Sequence, residues 1–194
     1  GGKGSANRDL GIKQWGDQMI SDIEAATDEA LRRFNLDSKR VVALGTSYGA
    51  YSAVRLAQRN PQRYSCVVGI AGVYDLHMLF NSGRASRSAR DIEWLRTHVG
   101  DPVKDLDLLS RQSPTQSAES ISAPVLLVHD RGDDVAPFEH ALRLQLALKR
   151  AKKRVELIAV SDGNHGLFRS STAIANYPKI ARFLRNNLST PPEQ

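Results

Sequence analysis

Four short apolar runs punctuate the chain, at 41–44, 66–70, 124–128 and 155–160. Runs that are apolar at consecutive positions, rather than at every second one, predict strands buried on both faces of a parallel sheet. Helical spacing separates them. Ile20, Ile23, Thr27, Leu31 and Phe34 share one face of a helix expected over 17–34. Further helices are expected at 50–58, stopped by Asn60-Pro61, at 138–149, and at 172–188 ahead of Pro191-Pro192. Residues 81–118 are polar and rich in Ser and Arg; they offer only a short helix at 91–98. Residues 1–5 read as a loop. Strands alternating with helices predict an α/β fold with a parallel sheet.

Composition narrows the functions open to this chain. Of 194 residues, 41% are hydrophobic and 25% charged. That is ordinary globular usage, and excludes a disordered tail, a collagen-like polymer and a disulfide framework. The length suits one domain, 1–194, burying roughly 70% of its unfolded surface. No apolar run approaches the ~20 residues of a membrane helix, so no membrane span is expected. Residue 1 is Gly, with no signal-peptide pattern after it. The lone Cys66 cannot form an internal disulfide, so the compartment stays open, with cytoplasmic the default. The net charge is +6. Its excess lies in Lys149, Arg150, Lys152, Lys153 and Arg154, near a helix end that favours cations. No aromatic interleaving marks a nucleic-acid surface, and no nucleic-acid partner is expected.

The chemistry concentrates in three places. Gly45-Thr46-Ser47-Tyr48-Gly49 is a G-x-S-x-G string between a strand and a helix. Such a turn strains the Ser backbone, pushes its hydroxyl out at the sheet's C-terminal end, and sets helix N–H groups beneath it. Gly45 and Gly49 are both expected to remove side chains that would collide. The run 124–128 leads into His129-Asp130-Arg131-Gly132-Asp133-Asp134, where a carboxylate would sit. The run 155–160 leads into Asp162-Gly163-Asn164-His165-Gly166, where a general base would sit. The order Ser47, Asp133, His165 is that of α/β-hydrolases. In those roles His165 takes the Ser47 proton, Asp133 orients the imidazole, and the Tyr48 N–H supplies an oxyanion donor. Turnover is then expected to fall below about pH 6, the range in which imidazoles protonate.

These residues carry a resemblance. Trp15-Gly16, Gly45-Thr46-Ser47-Tyr48-Gly49-Ala50-Tyr51, Ala71-Gly72-Val73-Tyr74-Asp75, Ser113-Pro114, the stretch from Pro124 to His129 with Asp133-Asp134-Val135, and Gly163-Asn164-His165-Gly166 resemble the catalytic domain of the prolyl oligopeptidase family of serine peptidases. The dipeptidyl and acylaminoacyl peptidase branches look most similar. The resemblance implies an α/β-hydrolase fold with helices on both faces of a mostly parallel sheet, its first strands missing ahead of Trp15. It implies an oligopeptide substrate, and upstream strands and a β-propeller in the same parent chain. No cofactor is implied. It also places Tyr48, Val73, Leu76 and Leu79, with Val135 lining the same cavity, near the substrate's P1 side chain; an ordinary core role is the alternative for Val73, Leu76 and Leu79. An uncharged P1 side chain is expected.

The sequence departs from the family in three positions. Ala50 replaces a usual Gly. Asp130 stands where a Gly would serve a left-handed turn. Lys3 stands near the place of an oxyanion Tyr. The other readings are a carboxylesterase, sharing the same chemistry, and a catalytically silent scaffold. Arg131-Gly132-Asp133 spells an adhesion tripeptide, but three-residue matches are common. His129, Asp130, Asp133, Asp134, Asp162 and His165 lack helical metal-ligand spacing, so no metal is expected.

Overall fold

The structure, a computed structural model, describes residues 4–161, 165–166 and 170–188. In chain order its elements are α1 (Gly4–Asp9), α2 (Gln18–Arg33), β1 (Val41–Thr46), α3 (Tyr48–Arg59), β2 (Tyr64–Ile70), α4 (Ala89–His98), α5 (Leu106–Gln112), β3 (Val125–Asp130), α6 (Glu139–Arg150), β4 (Val155–Val160) and α7 (Ser170–Leu188). The four strands pair in parallel, in the order β1-β2-β3-β4.

The apolar runs are explained by two cores. Successive strand side chains point to opposite faces. Ala43, Val67, Val125 and Leu127 enter one core, with residues of α2, α3 and α6. Cys66, Val68, Ile70, Leu126 and Val128 enter the other, against Ile180 and Phe183 of α7. Helices thus cover both faces, and β2 and β3 have no solvent side on which polar residues could alternate. Among the described strands β1 is an outer one, and its Leu44 is 51% exposed.

Several boundaries differ from the sequence reading. β1 continues to Thr46, because Gly45 and Thr46 still pair with Gly69 and Ile70; ladder bonds need no apolar side chain. α3 begins at Tyr48, directly after the turn. A short helix, Gly4–Asp9, replaces part of the expected N-terminal loop. It buries no residue, which is why no apolar period announced it. Within 81–118, α4 is capped by Ser88, whose hydroxyl accepts the Asp91 N–H at 3.2 Å, and buries only Leu95. The seven-residue α5 buries Leu109 and Gln112. Gln112 ties the segment before α2 to the core: its Oε1 accepts the Gly16 N–H at 3.0 Å and its Nε2 donates to the Lys13 carbonyl.

Backbone bonds past the strand ends fix where the loops depart. Ser47 N–H donates to the Ile70 carbonyl, Ala71 N–H to Val128 and Arg131 N–H to Val160, each at 2.9 Å. The turns after β1, β2 and β3 therefore leave the same end of the sheet from pinned positions.

Candidate active site

Ser47 sits between β1 and α3 at φ 56°, ψ −121°. A non-glycine residue in this region is strained by roughly 1–3 kcal/mol and persists only where its surroundings hold it. Here the Ile70 carbonyl holds its N–H, while its own carbonyl accepts Ala50 N–H at 3.0 Å. Its side chain makes no capping bond to α3. The hydroxyl donates instead to His165 Nε2 at 2.9 Å. His165 Nδ1 donates in turn to Asp133 Oδ2 at 2.8 Å, since a carboxylate can only accept. Residues 118 apart are thus in hydrogen-bond contact.

The glycines of this turn act differently from the sequence expectation. A Cβ on Gly45 would lie 2.3 Å from the Gly49 carbonyl carbon and oxygen. A Cβ on Gly49 would meet nothing within 4 Å outside its own helix. The close approach is therefore a requirement on Gly45 alone, with Gly49 contributing backbone. Gly166, beside His165, is left-handed at φ 105°, a conformation that favours glycine.

Asp133 follows β3 and is 5% exposed. Its Oδ1 accepts Val135 N–H and Ala136 N–H, both at 2.9 Å. Burial pushes its carboxyl up; hydrogen bonds from His129, His165 and the Ala136 N–H outweigh this and hold it well below the usual carboxylate range. The neighbouring Asp134 turns outward to Arg84 at 2.8 Å. Asp130 closes β3 without a left-handed backbone; its carboxylate accepts the Gly132 N–H at 2.7 Å, so the Gly substituted there is not needed for a positive φ.

The remaining positions distribute as follows. Tyr48 opens α3, where first-turn N–H groups lack an intrahelical acceptor. Its hydroxyl donates to the Trp15 carbonyl at 2.9 Å, and burial raises its pKa, against a smaller lowering by Ser52. Leu76 has no exposed surface, and Val73 and Leu79 retain 8% each; all three join the core. Val135 is 37% exposed, next to the Asp133 turn. Lys3, Asp162, Gly163 and Asn164 lie outside the described residues. The sequence reading missed an open groove of about 1180 Å³ beside Tyr48, walled by Trp15, Met19, Trp94 and His98. Trp94 stacks on His98 with centroids 4.5 Å apart and stays 48% exposed. Among the described residues no group of three or more His, Cys, Asp or Glu could hold a metal, and no helix is long and apolar enough to cross a membrane.

Known proteins resemble this chain in sequence and in fold. A Bacillus subtilis protein named uncharacterized peptidase YuxL is 27% identical over 165 residues, 80% of this chain and 23% of its own length. The rat acylamino-acid-releasing enzyme is 23% identical over 184 residues, 90% of this chain and 24% of its own. The chain thus spans about a quarter of these curated relatives. Among solved structures, Pyrococcus horikoshii acylaminoacyl peptidase superposes with a TM-score of 0.86 at 21% identity, covering 96% of this chain and 30% of that one. A Mycobacterium tuberculosis puromycin-hydrolyzing peptidase gives 0.85 at 21%, covering 100% and 28%. The likeness assigns the sheet and its helices to the α/β-hydrolase fold. The model of the prolyl oligopeptidase family matches residues 1–190, and the chain belongs to that family.

Proposed function

We propose that residues 1–194 form the catalytic domain of a serine peptidase that cleaves oligopeptides through Ser47, His165 and Asp133. The observation that carries this reading is the pair of hydrogen bonds from Ser47 Oγ to His165 Nε2 at 2.9 Å and from His165 Nδ1 to Asp133 Oδ2 at 2.8 Å, with the serine held at a strained turn. Membership of a peptidase family favours amide over ester substrates.

The chemistry follows from these contacts. Ser47 Oγ bonds to the substrate carbonyl carbon as its proton passes to His165 Nε2. The carbonyl oxygen becomes an oxyanion, toward which the Tyr48 N–H donates. The C–N bond then breaks, His165 returns the proton to the departing amine, and an acyl-enzyme remains. Water attacks the acyl carbon, gives its proton to His165, and Ser47 recovers it on release of the acid. Asp133 keeps Nδ1–H pointed at itself and stabilises the imidazolium formed in each half-reaction. Val135, partly exposed beside the Asp133 turn, is the most accessible of the aliphatic P1 candidates. An upstream β-propeller in the same polypeptide would admit short peptides and exclude folded proteins.

A fluorophosphonate probe tests the assignment on the full-length protein. It should label Ser47, and Ser47→Ala should abolish labelling and lower turnover by several orders of magnitude. Undiminished labelling of Ser47→Ala would remove the serine from this role. A panel of aminoacyl- and dipeptidyl-anilides beside p-nitrophenyl esters separates peptidase from esterase, since ester cleavage alone would favour the latter.

A further inference from the structure

We propose that His129 is a positioning residue: it locks the turn that carries Asp133 to the end of β3, and so keeps the carboxylate aligned with His165. The inference rests on the reading of Ser47, His165 and Asp133 given above.

Asp133 is held through both oxygens, but the partners of Oδ1, the N–H groups of Val135 and Ala136, belong to its own turn. Those bonds shape the turn without fixing it to the sheet. A displacement of the whole turn would leave them intact and carry Oδ2 away from His165. Backbone bonds pin the start of the turn, Arg131 N–H to the Val160 carbonyl at 2.9 Å and Asp133 N–H to the Asp130 carbonyl at 3.3 Å; His129 adds a side-chain tie from the sheet to its far end. It lies within β3, with 1% of its side chain exposed. Its Nε2 is 2.7 Å from the Ala136 carbonyl oxygen and 3.4 Å from Asp133 Oδ2. A carbonyl only accepts, so Nε2 carries a proton. One N–H therefore faces both the peptide that closes the turn and the oxygen that receives His165.

The Ala136 peptide is engaged at both ends. Its N–H donates to Asp133 Oδ1, and its carbonyl accepts from His129. Strand, imidazole, peptide and carboxylate form a closed circuit of bonds. The imidazole is itself fixed, edge-on to Phe138 with centroids 6.0 Å apart. Oδ2 lies between two imidazoles, which restricts rotation of the carboxylate. Other charged or titratable groups near this cluster are His140, whose charge acts on both His129 and Asp133; Arg84, which acts on Asp133 and pairs with Asp134; Asp130, whose carboxylate accepts the Gly132 N–H of the turn; and Arg131, whose guanidinium lies 5.0 Å from the Phe138 ring centroid.

The test uses the full-length protein, with the active fraction counted by fluorophosphonate titration so that misfolded molecules do not enter. His129→Phe keeps a ring but no donor. His129→Gln restores an N–H at the end of a flexible side chain. For His129→Phe, kcat per titrated site should fall 10- to 100-fold, as sub-ångström to ångström misplacement of a catalytic group does, with KM nearly unchanged. The acid limb of its kcat/KM profile should move to lower pH, because a displaced Asp133 supports the imidazolium less well. His129→Gln should recover most of both. If the Phe variant does not fold, His129→Leu serves as the second variant without a donor. A wild-type kcat per site and an unmoved acid limb in the donor-less variant would overturn the proposal, even with a lowered Tm, because that is what space-filling alone predicts. Ser47→Ala separates the two ideas. If that variant stays active, the reading of the site fails; if it is dead while His129→Phe behaves as wild type, only this inference fails.

Discussion

Gly45 and Gly49 approach each other so closely across the Ser47 turn that a Cβ on the first would lie 2.3 Å from the backbone of the second, whereas the reverse substitution meets open space. The two glycines of one motif are therefore under different constraints. Gly45→Ala should force the turn apart and remove fluorophosphonate labelling. Gly49→Ala should fold with a Tm within a few degrees of wild type and retain labelling. Equal loss in both variants would contradict this asymmetry.

Tyr74 sets a second close constraint. Its hydroxyl is buried with no hydrogen-bond partner among the described residues, and lies 2.2 Å from where a Cβ on Gly69 would stand. Gly69→Ala should cost about 1–3 kcal/mol through overpacking. Tyr74→Phe removes an unsatisfied polar atom and should be close to neutral. Combined, the two should lose less than their sum, because the next ring atom is 3.3 Å away. A double-mutant cycle by urea denaturation measures the difference; strict additivity would mean that the backbone, not the hydroxyl, limits this site.

Acid should destabilise the fold through His140. Burial is the main cause that lowers its pKa to about 4, and its Nδ1 accepts from the Tyr74 and Asp75 N–H groups. An unfolded histidine protonates near 6.5. Between these values the unfolded chain binds a proton that the folded one refuses, so stability is complete above about 6.5 and is lost as pH falls toward about 4. The loss is on the order of 3 kcal/mol. His140→Gln, which keeps an acceptor for both N–H groups, should flatten the urea midpoint between pH 7 and 5. Asp133 also has a lowered pKa; its contribution is complete above the unfolded carboxylate range and declines only in stronger acid. Loss of turnover between pH 7 and 5 is therefore not due to protonation of Asp133.

The outer position of β1 carries a prediction for the 194-residue chain expressed alone. An apolar, uncharged strand with one side unpaired recruits other chains, and Leu44 stands 51% exposed on it. Size-exclusion chromatography should show concentration-dependent association with little turnover of any substrate, and Leu44→Lys should reduce the association. A monomeric wild-type chain with full peptidase activity would refute this.

What was legible in the sequence followed from local and periodic signals. The four strands, the longer helices and the order of Ser47, Asp133 and His165 could be read because buried parallel strands leave continuous apolar runs and tight turns demand particular residues. α1 and α5 were illegible, since one buries nothing and the other is only seven residues long. The exposure of Trp94 was equally hidden: whether a tryptophan meets solvent depends on what lies opposite, which residue type does not record. The different roles of Gly45 and Gly49 depend on the direction of each Cα–Cβ bond, and a motif string carries no directions.

The Ser47–His165 hydrogen bond joins residues 118 apart, and this has a kinetic meaning. Closing a loop of that length costs about 4 kcal/mol of chain entropy beyond a constant, and nothing between the two residues can repay it until β2, β3 and β4 have docked in sequence. Helices form in about a microsecond, whereas long-range strand pairing is slow. During refolding, helical ellipticity should therefore return well before Ser47 regains reactivity toward a fluorophosphonate. A nucleophile assembled last would also stay inert in half-made chains, sparing a nascent peptidase from acting before its own walls are built.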